Sequence, residues 1–261
     1  MKEIDELLQT MAALRDPDTG CPWDRQQNNS TILPYTIEEV YELAEAIAKA
    51  DTRSIRDELG DLLFQIVFYA QMADENKQFS FAEVADSINQ KLKRRHPHVF
   101  GNDKFESTTQ LSMSWETIKA QERAQSGKTD TGLLDSVSAA MPALICATKL
   151  QRKAATVGFD WEHLAPVIDK INEELGEIRE AIDSGADRIK LQDEVGDVLF
   201  ACVNLARHLQ VDAETALMST NSKFRKRFAY IESELARQGR NTSQATLEEM
   251  EQLWQLAKGE G

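Results

Sequence analysis

From Leu164 to Leu209 the apolar residues fall at alternating intervals of four and three, and that spacing commits a chain to amphipathic helix. Leu164, Ile168, Ile171, Leu175, Ile178 and Ile182 make one stripe; Leu191, Val195, Val198, Cys202, Leu205 and Leu209 make a second. The residues between, Asp183 to Lys190, are too few for a parallel return, and Gly185 is a natural breaker. The spacing therefore predicts an antiparallel hairpin. Glu174, Glu177, Glu194 and Asp197 each stand one residue before a stripe position. Like flanks meet in an antiparallel pair, so four carboxylates are expected along one seam. Such a cluster raises pKa values and opposes folding unless a cation sits in it. A metal ion is the economical resolution.

The rest of the 261-residue chain fits the same fold class. Six prolines, twelve glycines and no convincing alternating run point to an all-α protein. Apolar content of 41% and charged content of 28% suit a globular chain with room for two ordinary domains. The net charge of −14 argues against a nucleic-acid or anionic-membrane surface, since no basic excess is available to neutralise phosphates. Cys21, Cys146 and Cys202 are odd in number and far apart, as expected of free thiols in a reducing compartment. No signal-peptide core is seen, and no apolar run approaches the roughly 18 residues of a membrane helix. A cytoplasmic location is expected.

The chain also repeats itself. Glu38-Glu39-x-x-Glu42 matches Glu173-Glu174-x-x-Glu177, and Glu58-x-Gly60-Asp61 matches Glu194-x-Gly196-Asp197. Asn89-x-Lys91-x-Lys93-Arg94-Arg95 parallels Asn221-x-Lys223-x-Arg225-Lys226-Arg227. Two tandem helical domains are expected, residues 1–126 and 136–261, joined by a linker at 127–135. In the first copy Thr36 and Glu39 fit a capping box at a helix start. In the second, Pro166 suits a first turn, which leaves Glu174 and Glu177 well inside the helix with no amides to cap. Trp23 reads as a core plug, His96-Pro97-His98 as a helix-end loop, Leu133 to Thr156 as a helix interrupted early by Pro142, and Leu247 to Leu256 as a short helix. Another helix is expected near Thr109 to Gln125. Gly127-Lys128-Thr129 is no phosphate loop, because Glu122 stands where the motif needs glycine.

Oxygen-only ligands without nearby cysteine or histidine favour a hard cation, Mg²⁺ or Mn²⁺, over zinc. Helical di-iron centres need Glu-x-x-His on two helices, and the chain has none. Prenyl-diphosphate chemistry would want Asp-Asp-x-x-Asp, also absent. Lys223 and Arg227, four apart on one helical face, are spaced to hold phosphate oxygens. Lys190 adds a further contact, and Trp254 offers a flat surface for a base.

Taken together, these motifs resemble the MazG nucleoside triphosphate pyrophosphohydrolases. The likeness rests on Glu173-Glu174-x-x-Glu177, Glu194-x-x-Asp197, Gly158-Phe159-Asp160-Trp161, Gly196-Asp197-Val198-Leu199-Phe200 and Gly20-Cys21-Pro22-Trp23-Asp24. It implies hydrolysis of nucleoside triphosphates between the α- and β-phosphates, serving to cleanse the nucleotide pool, in a homodimer whose helical bundles are completed by the second copy. By motif, Glu174, Glu177, Glu194 and Asp197 would ligate Mg²⁺, with Mn²⁺ a substitute, and Glu173 or Glu194 would take a proton from water. Lys170, Lys190, Asp193, Lys223, Arg227 and Trp254 would face the substrate. Catalysis is expected in the second copy, although Glu39, Glu42, Glu58 and Asp61 give the first a complete acidic set and a second metal site. The alternative is a non-catalytic helical protein that binds nucleotide or metal for regulation or dimerisation.

Overall fold

A computed structural model describes residues 2–101, 118, 122 and 132–259, and among these the chain is helical without a strand. It divides into two compact units, Met1–Lys128 and Thr129–Gly261. Apart from Ile118 and Glu122, the expected helix near Thr109 to Gln125 lies outside the described residues, as do the Gly127-Lys128-Thr129 run and most of the linker.

The first unit contains α1 (Lys2–Leu14), α2 (Pro22–Gln26), α3 (Asn29–Ala48), α4 (Thr52–Glu75), α5 (Phe81–Arg95) and α6 (Pro97–Phe100). Helix α4 is the hub, packing against α1, α3 and α5. Met11, Ile32, Val67, Phe68 and Met72 form its core, with Leu7 and Leu8 of α1 packed against them. Met11 of α1 is fully buried there. His96 and His98 stand at the junction of α5 and α6, and the His96 ring is tied to the Leu92 carbonyl at 2.7 Å. The helix-end reading holds there, with the addition of a short α6.

Two expectations for this unit fail. Trp23 is 47% exposed and meets Tyr35 in a T-shaped pair, with ring centroids 5.8 Å apart, so it plugs no core. Thr36 is not a cap, because α3 starts eight residues earlier. Asn28 accepts from the Ser30 and Thr31 amides, and the Thr31 hydroxyl accepts from the Asn28 amide. Pro34 is carried inside the helix, at its sixth residue, where proline forgoes the bond to the carbonyl four residues earlier. Thr36 instead bonds to Gln65 and Tyr69 of α4, which leaves Glu39 with no capping role. Asn28→Ala is expected to lower the unit's stability by about 1 kcal/mol in thermal unfolding, the usual worth of an N-cap; a loss at Thr36 with none at Asn28 would restore the other start.

The second unit contains α7 (Ala143–Ala155), α8 (Leu164–Asp183), α9 (Arg188–His208), α10 (Ala213–Arg237), a 3-10 turn at Thr242–Gln244, and α11 (Leu247–Gly259). Helix α9 packs on α7 and α8, and α10 on α7 and α11. Pro142 does not interrupt a helix: it stands in the N-cap position of α7, and residues before it form turns. Proline lacks the donor that a helix interior requires, so the helix begins just after it.

The α8–α9 hairpin is present as predicted. Its turn carries Gly185 at φ +68°, a conformation that costs glycine little. The buried faces, however, are rotated from the apolar stripes. On α8 the buried residues are Val167, Glu174 and Ala181, and on α9 they are Glu194, Ala201, Val203 and Asn204. Ile171, Ile178, Leu191, Val198 and Leu205 are half-buried. Leu164, Ile168, Leu175, Ile182, Val195, Leu199, Cys202 and Leu209 are exposed. The period was right and the inward direction was not, because the two helices meet along the flank that carries the acids. The stripe remains an open apolar face.

Candidate functional site

Lengthwise register brings the acids together. Glu174 and Asp197, like Glu177 and Glu194, lie at matching distances from the turn on opposite strands of the hairpin, so antiparallel packing sets each pair across the seam. Glu174, Glu194 and Asp197 each offer a carboxylate oxygen within 4.8 Å of the others. Glu177 feels the charges of Glu174 and Glu194. Glu174 and Glu194 are buried, at 6% and 2% exposure, whereas Asp197 is exposed.

Burial of two carboxylates needs compensation, and a lysine four residues earlier on each helix supplies part of it. Lys170 Nζ lies 2.8 Å from Glu174 Oε1 and 2.7 Å from Glu173 Oε1, and Lys190 Nζ pairs with Glu194 Oε1. The second oxygen of each buried acid, Glu174 Oε2 and Glu194 Oε2, has no hydrogen-bond partner. A buried anionic oxygen left unpaired is costly. The two buried acids, each with one oxygen unpartnered, converge with Asp197 in an all-oxygen donor set, which fits a hard divalent cation such as Mg²⁺ or Mn²⁺.

These contacts separate the protonation behaviour of the acids. Lys190 holds Glu194 below the usual carboxylate range. Glu177 is pushed up, first by the charge of Glu174 and then by burial. Lys170 is held charged by Glu173 and Glu174, and Lys190 by Glu194, with exposed Asp193 contributing. The i, i+4 spacing of Lys170 to Glu174 and Lys190 to Glu194 is visible in the sequence and marks both lysines as carboxylate partners in the unliganded chain.

The first copy assembles the same acids without the lysines. Glu39, Glu58 and Asp61 offer oxygens within 4.8 Å of one another, with Glu39 and Glu58 half-buried and Asp61 exposed. Tyr35 and Ser54 stand four residues before Glu39 and Glu58, where the second copy has Lys170 and Lys190. Burial, then the charges of Asp61 and Glu42, push Glu39 up; burial, then Glu42 and Asp61, push Glu58 up. A carboxyl raised in the folded state binds more protons folded than unfolded, so its effect is absent below the ordinary carboxyl pKa and opposes folding as pH rises through the raised value. Glu58→Gln is therefore expected to raise the metal-free melting temperature at pH 7.5 and leave it unchanged near pH 4. An equal change at both pH values would show that charge is not the cause.

Beside the second acidic seam lies a cleft of about 610 Å³, which Lys170, Glu174 and Asp197 also line. At its other side Arg207 donates to Asp160 Oδ2 at 2.9 Å and to Asn204 Oδ1 at 2.8 and 3.0 Å. His208 Nε2 lies 3.0 Å from Asp160 Oδ1, and the Arg207 hydrogen bonds, more than the imidazole, hold Asp160 below the carboxylate range. Asp160 had a signal in the Gly158-Phe159-Asp160-Trp161 run; Asn204 and Arg207 had none. Lys223, Arg227 and Trp254 do not line this cleft. Lys223 is exposed on α10, and the Arg227 guanidinium sits over Trp254, 5.6 Å from the ring centroid. Trp254 also packs against Phe224 at 5.1 Å.

Residues 27–100 and 164–231 match the MazG nucleotide pyrophosphohydrolase domain. The two segments carry the two acidic hairpins and leave α7, Asp160 and Trp254 outside. The chain is 49% identical over 259 residues to the nucleoside triphosphate pyrophosphohydrolase of Escherichia coli K12, covering 99% of this chain and 98% of that one. It is 42% identical over 256 residues to the nucleoside triphosphate pyrophosphohydrolase/pyrophosphatase MazG of Thermotoga maritima, with 98% and 96% covered. A nucleoside triphosphate pyrophosphohydrolase of Mycobacterium tuberculosis is 33% identical over 164 residues, with 62% and 48% covered.

Proposed function

The chain belongs to the MazG nucleotide pyrophosphohydrolase family, and from that membership and the acidic hairpins we infer that it is a nucleoside triphosphate pyrophosphohydrolase acting at the α8–α9 seam. The reaction cleaves between the α- and β-phosphates, requires Mg²⁺ and releases a monophosphate and pyrophosphate. Removing unwanted nucleotides from the cytoplasmic pool is the role that such an activity suits. The observation that carries the assignment to this seam is the pair of buried, unpartnered oxygens, Glu174 Oε2 and Glu194 Oε2, beside Asp197.

Glu174, Glu194 and Asp197 would hold the cation, with Glu177 at their edge. Bound there, Mg²⁺ would neutralise phosphate charge and lower the pKa of water. Lys170 and Lys190 each hold one oxygen of a carboxylate and leave the other unpartnered, which would be free for the cation. Of the seam glutamates, Glu177 is the one that neither lysine pairs, which leaves it to take the water's proton. Glu173 is paired with Lys170, and Lys190 keeps Glu194 acidic, which sets both apart from that task. Lys223 and Arg227 would meet the leaving pyrophosphate. The first copy, with Tyr35 and Ser54 where the second has Lys170 and Lys190, lacks this arrangement, and we assign turnover to the second.

Purified chain incubated with Mg²⁺ and a panel of nucleoside triphosphates is expected to release pyrophosphate and the matching monophosphate. Orthophosphate in its place, or binding without product, would contradict the reaction; the latter would favour a regulatory binding protein.

The open apolar stripes of α8 and α9 support assembly with a second copy, since exposed patches of that kind mark interfaces. Light scattering should give twice the 29.4 kDa chain mass, and Leu175→Glu with Leu199→Glu should shift it toward one chain. A monomeric parent protein would contradict the dimer.

A further inference from the structure

The first copy's basic run has no part in the reaction assigned to the second unit. Lys91, Lys93, Arg94 and Arg95 lie in the last turns of α5, and the two arginines close on a single carboxylate, that of Glu122. Arg94 Nε donates to Glu122 Oε1 at 2.7 Å, and Arg94 Nη2 lies 2.6 Å from the same oxygen. Arg95 donates to Oε2 from Nε at 3.1 Å and from Nη2 at 2.5 Å. The Glu122 side chain is 18% exposed between them.

Consecutive residues of a helix point about 100° apart, and two guanidiniums repel one another. Neighbouring arginines therefore meet on a common group when an anion draws them together. The hydrogen bonds of Arg95, and after them those of Arg94, hold the Glu122 carboxyl down to about 2, so that group is anionic at any ordinary pH. A carboxylate brings two oxygens and one charge. A phosphate group brings more of both, in a geometry that the guanidinium fork matches equally well. Among the described residues Glu122 is the acid bonded to this run, one negative charge against two guanidiniums, and Lys91 and Lys93 stand exposed on the same helix end. The clamp suits an anion of higher charge than the one it holds.

We propose that Arg94 and Arg95 form an anion site for a di- or triphosphate group in the first unit, and that Glu122 fills it from within the chain. The ligand is the phosphate chain itself, whether free pyrophosphate or the tail of a nucleoside triphosphate. The site makes no use of the α8–α9 acids, so it stands whether or not that seam hydrolyses substrate. Because Glu122 belongs to the same chain, it competes intramolecularly at any protein concentration. It thereby sets a threshold: the arginines take up a phosphate chain only when that ligand is abundant.

The test is calorimetric titration of the full chain, free of divalent metal, with pyrophosphate and separately with an α,β-methylene nucleoside triphosphate. Glu122→Gln keeps the shape of the side chain and removes its charge. It is expected to tighten binding of the phosphate chain about 10- to 150-fold, the worth of one charge-assisted hydrogen bond that the competitor gives up. Arg95→Ala added to Glu122→Gln should abolish that gain. Lys223 and Arg227 are the same in every variant and cancel from the comparison. Equal gains for the two ligands support the phosphate chain as the recognised group, and a larger gain for one supports it and names the source. Glu122→Asp, which keeps the charge but withdraws it by one methylene, should show a smaller gain and stands in if circular dichroism finds the glutamine variant unfolded. No gain in a folded Glu122 variant would overturn the proposal. A gain that survives Arg95→Ala would also overturn it, by showing an effect of net charge alone.

Discussion

Glu174→Gln is expected to lower kcat by more than about 100-fold, the upper end for loss of a residue that only supports a metal ligand, while the helices and their packing persist. Glutamine keeps the shape of the buried side chain, so no cavity forms. What changes is its donor set. Glu174 has Oε1 on Lys170 at 2.8 Å and Oε2 buried without a partner. An amide must give up one of these: with its oxygen on Lys170, it turns an N–H₂ toward the cation. Removing a charge from the seam also relieves repulsion on Glu177, so the metal-free variant should melt no lower than the parent. Steady-state kinetics beside circular dichroism and calorimetry separate the two effects. A wild-type rate in a folded Glu174→Gln would show that the seam is not the site.

Divalent metal should stabilise the metal-free chain, and by a large amount. Binding to the folded state alone contributes about 2.7 kcal/mol at a hundredfold excess over Kd, which for domains of this size is a rise of roughly 5–11 °C in melting temperature. The direction follows from the two buried, unpaired oxygens, which oppose folding until a cation reaches them. Glu194→Gln should remove most of the rise in the second unit and leave any contribution of the first, whose Glu39, Glu58 and Asp61 also converge. Chelation should reverse the shift and stop turnover together. A melting temperature indifferent to Mg²⁺ and Mn²⁺ would mean that Lys170 and Lys190 already satisfy the acids.

Much of the acidic site was legible because helical period and chain repetition are local properties. Three-residue spacing of Glu174 and Glu177, and of Glu194 and Asp197, with too few residues from Asp183 to Lys190 for a parallel return, was enough to predict the seam. The direction of burial was not legible. Apolar stripes through Leu175 and Val195 invite an inward face, yet the chain buries Glu174 and Glu194, because Lys170 and Lys190 compensate them from one turn away. Thr36 misled for a related reason: a capping pattern three residues long is common by chance, and Asn28 and Thr31 formed the true box before a proline that the helix accommodates. The link from Asp160 to Arg207 spans 47 residues and leaves no periodic trace. Only the fold brings Gln151, Asn204 and the aromatic loop to the edge of the acids.

A crystal of the full chain grown with Mn²⁺, with diffraction recorded at the manganese absorption edge, addresses the ion directly. An anomalous peak bonded to Glu174 Oε2, Glu194 Oε2 and an Asp197 oxygen, with Lys170 and Lys190 still on the other oxygens, is the predicted result. Manganese bound elsewhere in the second unit, with those two oxygens still bare, would contradict it.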